Sequence, residues 1–185
     1  MLSELNTQLF LILNGLAGQS NFSDSLFVVF ATVFADIVFV AVMLGVFFHR
    51  DKESHRTLLG IPTTLREPVM VLGVSFLSGI GALILKGIFA IPRPFLVLPE
   101  AHKLIVYGLN DSFPSGHAMF FASLAVAVAI YHRRLGILLL ALAFLIGVMR
   151  IIVGVHYPID IIGGLVLGAL LPLVARFFIH RLKRV

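Results

Sequence analysis

No cysteine occurs among the 185 residues of this chain, which excludes disulfides and thiolate metal sites. Charge is scarce too: 12% of residues are Asp, Glu, Lys or Arg, against 59% hydrophobic, and the mean hydropathy is +1.07. A soluble domain of this length could not hide so much apolar surface, so an integral membrane protein is expected. The few acidic residues form no cluster able to bind a metal, and neither metal nor cofactor is expected. Linkers, low-complexity tracts and convincing repeats are absent, so residues 1–185 read as a single membrane-embedded domain. A basic start is missing and Glu4 precedes the first apolar stretch, so no cleavable signal peptide is expected. The net charge of +5 raises nucleic acid as a partner. It is set aside, because the basic residues lie in loops between apolar runs, where membrane topology accounts for them.

A span takes about 20 apolar residues. Ser25–Phe48, Val69–Ile91, His117–His132, Leu135–Val155 and Ile159–Ile179 meet or approach that length. The third is short, but its neighbours require a crossing. Residues 3–16 read as an amphipathic segment, too short to span and suited to the interface. The expected fold class is all-α: a polytopic membrane helix bundle of about five transmembrane helices plus an N-terminal interfacial helix.

Charge sets the orientation. With the Ser25 end outside, the inside receives Arg50, Lys52, Arg56, Arg66, Arg133, Arg134, Arg176, Arg181, Lys183 and Arg184. The outside receives Lys86, Arg93, Lys103 and Arg150. Cations placed against the positive-inside rule need another reason to be there. The same alternation brings the ends of spans two and four and the starts of spans three and five to one face.

Those ends carry the chemistry. Phosphate calls for positive charge and N–H donors around its oxygens. Lys86 and Arg93 close span two, with Pro92 and Pro94 stiffening the backbone about Arg93. Arg150 closes span four. Singly, each could be a snorkelling cation; together they favour phosphate. Ser115 reads as the N-cap of span three, where first-turn N–H groups and the helix dipole favour an anion. Gly116 admits a close backbone approach, and His117 is placed to act as general acid. His156 stands two residues before Pro158, which fits the first position of span five. The four-residue spacing lets Asp160 bond one imidazole nitrogen of His156 and aim the other as a nucleophile. The expected reaction is phosphoryl transfer through a phosphohistidine on His156. Asp160 assists and His117 serves as acid, then base. Lys86, Arg93, Arg150 and the Ser115–Gly116 amides hold the phosphate.

In these residues the chain resembles the type-2 phosphatidic-acid phosphatase superfamily. The pattern Lys-x6-Arg-Pro, Pro-Ser-Gly-His and Ser-Arg-x5-His-x3-Asp reads here as KGIFAIPRP (86–94), PSGH (114–117) and MRIIVGVHYPID (149–160). Order and spacings agree. Met149 replaces the serine before the arginine, which removes one possible hydroxyl contact to phosphate. The short chain, the amphipathic start and the Asn110–Pro114 approach to the second motif are similar to undecaprenyl-diphosphate phosphatases. The resemblance implies removal of the terminal phosphate of a polyprenyl diphosphate at the outer (periplasmic) face of the inner membrane. Phosphatidylglycerophosphate, phosphatidic acid and lipid A are the alternative substrates. A vanadate-dependent haloperoxidase is disfavoured by the short hydrophobic chain, and a lipid transporter would not require both histidines and Asp160. The oligomeric state is left open.

Asp36, inside the first span, is expected either to line the substrate cavity or to bond a neighbouring helix. The 95–113 loop, with Glu100, His102, Lys103, Asn110 and Asp111, is expected to shape the headgroup entrance. His102 and Lys103 read as solvated loop residues.

Overall fold

A computed structural model describes residues 2–48, 57–58, 61–106 and 109–182. Arg50, Lys52, Arg56, Lys183 and Arg184, counted above toward the charge bias, lie outside the described residues. The elements are α1 (Leu2–Asn14), α2 (Asn21–Ala31), α3 (Val33–Phe48), β1 (Thr57–Leu58), β2 (Ile61–Pro62), α4 (Thr63–Phe89), α5 (Pro94–Val97), α6 (Gly116–Ala129), α7 (Arg133–Ile152) and α8 (Pro158–Leu182). The two strands pair antiparallel as a minimal hairpin, and the other regular elements among the described residues are helical. The chain is an all-α membrane protein. Asn21–Gly45, Glu67–Phe89, Arg133–Ile152 and Pro158–Arg181 are long and apolar enough to cross a bilayer, and α6 is a shorter apolar helix among them.

α6 is the centre of the bundle, against α4, α7 and α8. It can be central because its sequence is small: Ala118, Ala122, Ala125 and Ala127 are fully buried. Gly164 and Gly168 of α8 lie on its backbone. A Cβ on Gly168 would run into the Met119 carbonyl, and one on Gly164 would come within 2.8 Å of the Ser115 oxygen. Serines staple α4 to α6: Ser78 Oγ donates to the Met119 carbonyl at 3.0 Å, and Ser123 Oγ to the Val74 carbonyl at 3.2 Å. Large side chains such as Phe76, Ile80, Leu83, Leu170 and Leu173 point outward. That inversion suits a lipid solvent, where helices associate by close packing rather than by hiding apolar surface.

Several boundaries differ from the sequence expectation. The first span is two helices, broken at Thr32, with φ −127° and ψ −81°. Its hydroxyl donates to the Val28 carbonyl at 2.6 Å, a back-bond that competes with the helix ladder. Span four ends at Ile152 rather than Val155, because Gly154 turns the chain at φ +87°. The third span starts one residue earlier, at Gly116, and ends at Ala129 rather than His132. The N-terminal segment is a helix, as expected. α1 packs against α7 and α8 with Phe10 and Asn14 buried, while Leu5, Leu9, Ile12 and Leu16 stay exposed.

Candidate active site

Four helix ends and two connections meet at one end of the bundle. α4 stops at Phe89, where Ala90 takes a left-handed φ of +47° and donates its N–H to the Lys86 carbonyl at 2.8 Å. Such a C-terminal turn usually falls to glycine; alanine there costs about 1 kcal/mol. The turn sends the chain back so that Arg93 follows Lys86 into the same place. Pro92 bridges to Asp111, Arg93 N–H donates to the Asn110 carbonyl at 3.0 Å, and Ser112 N–H to the Ile91 carbonyl at 2.7 Å. The second half of the 95–113 loop is thereby laid along the first motif.

The three cations are buried and anchored to carbonyl oxygens. Lys86 Nζ donates to Asp111 O at 2.9 Å and Ser112 O at 2.7 Å. Arg93, with no exposed surface, donates from Nε to Leu109 O and from Nη1 to Val155 O, both at 2.7 Å. Arg150, 1% exposed, donates from Nη1 to the Ala31 carbonyl at 3.3 Å. Ala31 is the last residue of α2, and helix ends leave carbonyls in need of donors. The break at Thr32 therefore supplies the oxygen that positions Arg150.

Ser115 caps α6, its hydroxyl accepting from Ala118 N–H at 3.5 Å. One expectation is corrected here. The Ser115 amide is not a phosphate donor, because it donates to the Asp160 carbonyl at 3.0 Å. The bond ties the start of α6 to the start of α8 and leaves Gly116 and His117 as the first-turn amides. His117 is half-buried in that turn, within electrostatic reach of Arg150, Arg93 and Lys86.

His156 sits in the two-helix corner between α7 and α8, 1% exposed. Its Nδ1 lies 3.3 Å from Asp160 Oδ2, and the same oxygen accepts Tyr157 N–H at 2.7 Å. An ionised Asp160 makes Nδ1 the protonated nitrogen and leaves a lone pair on Nε2. Nε2 faces Arg93 Nη1 at 3.3 Å. Burial holds the His156 imidazole well below its ordinary pKa, and the nearby charges of Arg150, Arg93, Lys86 and His117 push the same way. Ser112, also fully buried, places its hydroxyl beside the Asp160 carboxylate.

Sequence reasoning did not single out the parts that brace this corner. Asn14, at the end of α1, is 1% exposed; its Nδ2 donates to His102 O and Ile152 O, both at 2.8 Å. Its Oδ1 accepts His102 N–H, also at 2.8 Å. Asn6 Oδ1 accepts Ile159 N–H at 3.0 Å, and the Phe10 ring lies 5.5 Å from Tyr157. Leu104 N–H donates to the Val153 carbonyl at 3.2 Å, so residues 102–104 strap the turn between Arg150 and His156. Gly154 lies under that strap, and a Cβ there would overlap the His102 carbonyl. The His102 side chain is exposed and its ring rests on Gly18, while Lys103 Nζ stands 4.0 Å above the Phe95 ring. Asp36 is exposed on the outer side of α3, near its start.

Residues 68–184 match the PAP2 superfamily. The chain is 28% identical over 171 residues to undecaprenyl-diphosphatase BcrC of Bacillus subtilis, covering 90% of this chain and 80% of that one. It is 30% identical over 170 residues to putative undecaprenyl-diphosphatase YbjG of Escherichia coli, covering 91% and 79%. The crystal structure of Aquifex aeolicus LpxE superposes with a TM-score of 0.71 at 25% identity, over 92% of this chain and 93% of that one.

Proposed function

The chain belongs to the PAP2 superfamily, and we propose that it is a single-domain membrane phosphatase converting undecaprenyl diphosphate to undecaprenyl phosphate through a phosphohistidine on His156. One observation carries the mechanism. A buried imidazole stands between a carboxylate that fixes its Nδ1 proton and a guanidinium at its Nε2.

In the proposed reaction the terminal phosphate enters among Lys86, Arg93, Arg150 and the first-turn amides of Gly116 and His117. These charges neutralise its oxygens in an environment where they act strongly. Phosphate engaging Arg93 releases the Nε2 lone pair. Nε2 then attacks phosphorus in line, forming a P–N bond as the bridging P–O bond breaks. His117 gives its proton to the departing oxygen of the lipid phosphate. Water next attacks the phosphohistidine, loses a proton to His117, and releases inorganic phosphate, restoring both imidazoles. Asp160, itself held by the Tyr157 N–H, keeps the His156 ring in place throughout. Loss of a positioned acid or base of this kind costs about 10²–10⁴-fold in rate.

The polyprenyl diphosphate is supported by the named relatives, which cover most of the chain at matching length. An outer-face site on the inner membrane is supported by charge. Of the four basic residues at the site end, Lys86, Arg93 and Arg150 are buried and only Lys103 shows on the surface. Arg133, Arg134 and Arg181 are exposed at the other end.

Phosphate release from undecaprenyl diphosphate, phosphatidylglycerophosphate, phosphatidic acid and lipid A, in detergent with EDTA, tests the substrate. Preference for undecaprenyl diphosphate supports the reading. Preference for another lipid overturns the substrate, and loss of activity in EDTA overturns the mechanism. The cysteine-free chain allows a clean test of sidedness. Glu100→Cys should react in intact cells with an impermeant maleimide, and Arg134→Cys should not.

A further inference from the structure

At the end of the bundle away from His156, α3, α4 and the α6–α7 turn enclose a cavity of about 730 Å³. This is the size range of small-molecule sites, roughly 300–1,000 Å³. It is separated from the phosphate cluster by the length of α6, about 20 Å for its 14 residues. Its wall is aliphatic, with Val38, Val42, Val128, Leu135, Leu139 and Leu142 as the main contributors.

The rim has the opposite character. Arg133 and Arg134 stand exposed on it, beside His132 and Glu67, whose Nε2 and Oε1 pair at 2.9 Å. That pair joins the start of α4 to the α6–α7 turn and sets the one carboxylate of the lining against an imidazole nitrogen. The arginines occupy the first turn of α7, the positive end of its dipole, where a cation is unfavourable unless an anion offsets it. The N-cap, His132, makes no side-chain capping bond. Two guanidiniums and a helix N-terminus thus face the mouth of an apolar chamber.

We propose that this chamber binds an anionic glycerophospholipid of the leaflet opposite the phosphatase site, one acyl chain inside and the phosphate on Arg133 and Arg134. A soluble anion leaves the aliphatic wall unmatched, and a zwitterionic lipid leaves the arginines uncompensated. Basic pockets between membrane helices recognise anionic headgroups in this way. The proposal does not depend on the reaction above.

Gly45 gives a direct test. It lines the cavity, and a Cβ built on it meets nothing within 4 Å, so Gly45→Leu adds bulk to the chamber with no clash at Cβ. Wild type, Gly45→Leu and Arg133→Gln/Arg134→Gln are melted in nanodiscs of phosphatidylcholine alone and with one quarter phosphatidylglycerol. Phosphatidylglycerol should raise the wild-type midpoint on the order of 5 °C. Both variants should lose that increment and keep wild-type turnover. Equal wild-type midpoints in the two lipids, or a full increment in Gly45→Leu, overturn the proposal. So does a chamber occupied by a second copy, seen as a dimer that Gly45→Leu dissociates. If Gly45→Leu does not fold, native mass spectrometry of the arginine pair decides: retained phosphatidylglycerol adducts overturn it.

Discussion

Replacing Asn14 with alanine should loosen the catalytic corner from a distance. The side chain makes three hydrogen bonds of 2.8 Å, part-buried to both polar groups of the His102 backbone and buried to the Ile152 carbonyl. A typical intramolecular hydrogen bond contributes about 1 kcal/mol net, so Asn14→Ala should cost about 3 kcal/mol. For a chain of this size that is a fall of about 6–12 °C in the melting midpoint. Asn14→Asp should do no better. It keeps the bond from His102 N–H but sets a carboxylate against two carbonyl oxygens. Catalysis should suffer too, because the strap at 102–104 fixes the turn carrying Arg150 and His156. A misplacement of about 1 Å can cost 10²-fold, so kcat should fall roughly 10- to 100-fold with KM little changed. Amide exchange in detergent should accelerate across 102–105 and 150–156 before it does elsewhere. A midpoint within about 1 °C of wild type, with unchanged kcat, would refute the assignment of Asn14 as the brace.

The remaining expectations concern the site itself. His156→Ala should abolish turnover in a chain that still folds, with a lowered melting midpoint; any multiple-turnover activity would remove His156 as nucleophile. Gly154→Ala combines a left-handed φ of +87° with overlap on the His102 carbonyl, so it should lower both stability and kcat, whereas Ala90→Gly, relieving a φ of +47°, should be neutral or stabilising. Because the folded pKa of His156 is depressed, its contribution to stability is fully present above about pH 6.5 and is lost as pH falls toward the folded value; melting from pH 8 to 5 should fall less steeply for His156→Gln. In kcat/KM the same depression should keep the acid limb attributable to His156 below the ordinary imidazole range.

Much of this could be read from the chain because its signals are local. Ser115 and Pro158 mark helix starts by chemistry that tolerates few substitutes, and the four-residue step from His156 to Asp160 needs only a helical turn to bring the two together. The convergence of Lys86, Arg93 and Arg150 follows from antiparallel spans. What stayed hidden depends on contacts between distant segments. Thr32 lies in an apolar run with nothing to announce a break, and the break acquires meaning only because Arg150 reaches the Ala31 carbonyl. Asn14 is one amide at the end of a short amphipathic helix, the kind of residue that usually meets water. Its partners are 88 and 138 residues away. The Ser115 amide was misassigned for a similar reason, since its acceptor belongs to α8.

The carbonyl anchors on the cations bear on how the enzyme spends its binding energy. A lysine or arginine waving in solvent surrenders about 2 kcal/mol of rotamer freedom when it closes on a ligand. Lys86, Arg93 and Arg150 surrendered theirs when the chain folded, against Asp111, Ser112, Leu109, Val155 and Ala31. In the proposed reaction, a phosphate arriving from the bilayer surface would therefore meet a rigid electrostatic mould. Such a mould discriminates by shape: it favours a terminal phosphate free to enter on its own and turns away one crowded by a second substituent. It also makes the rim and the chemistry a single mechanical unit, so that changes in the 109–112 backbone should be felt as changes in affinity for inorganic phosphate itself.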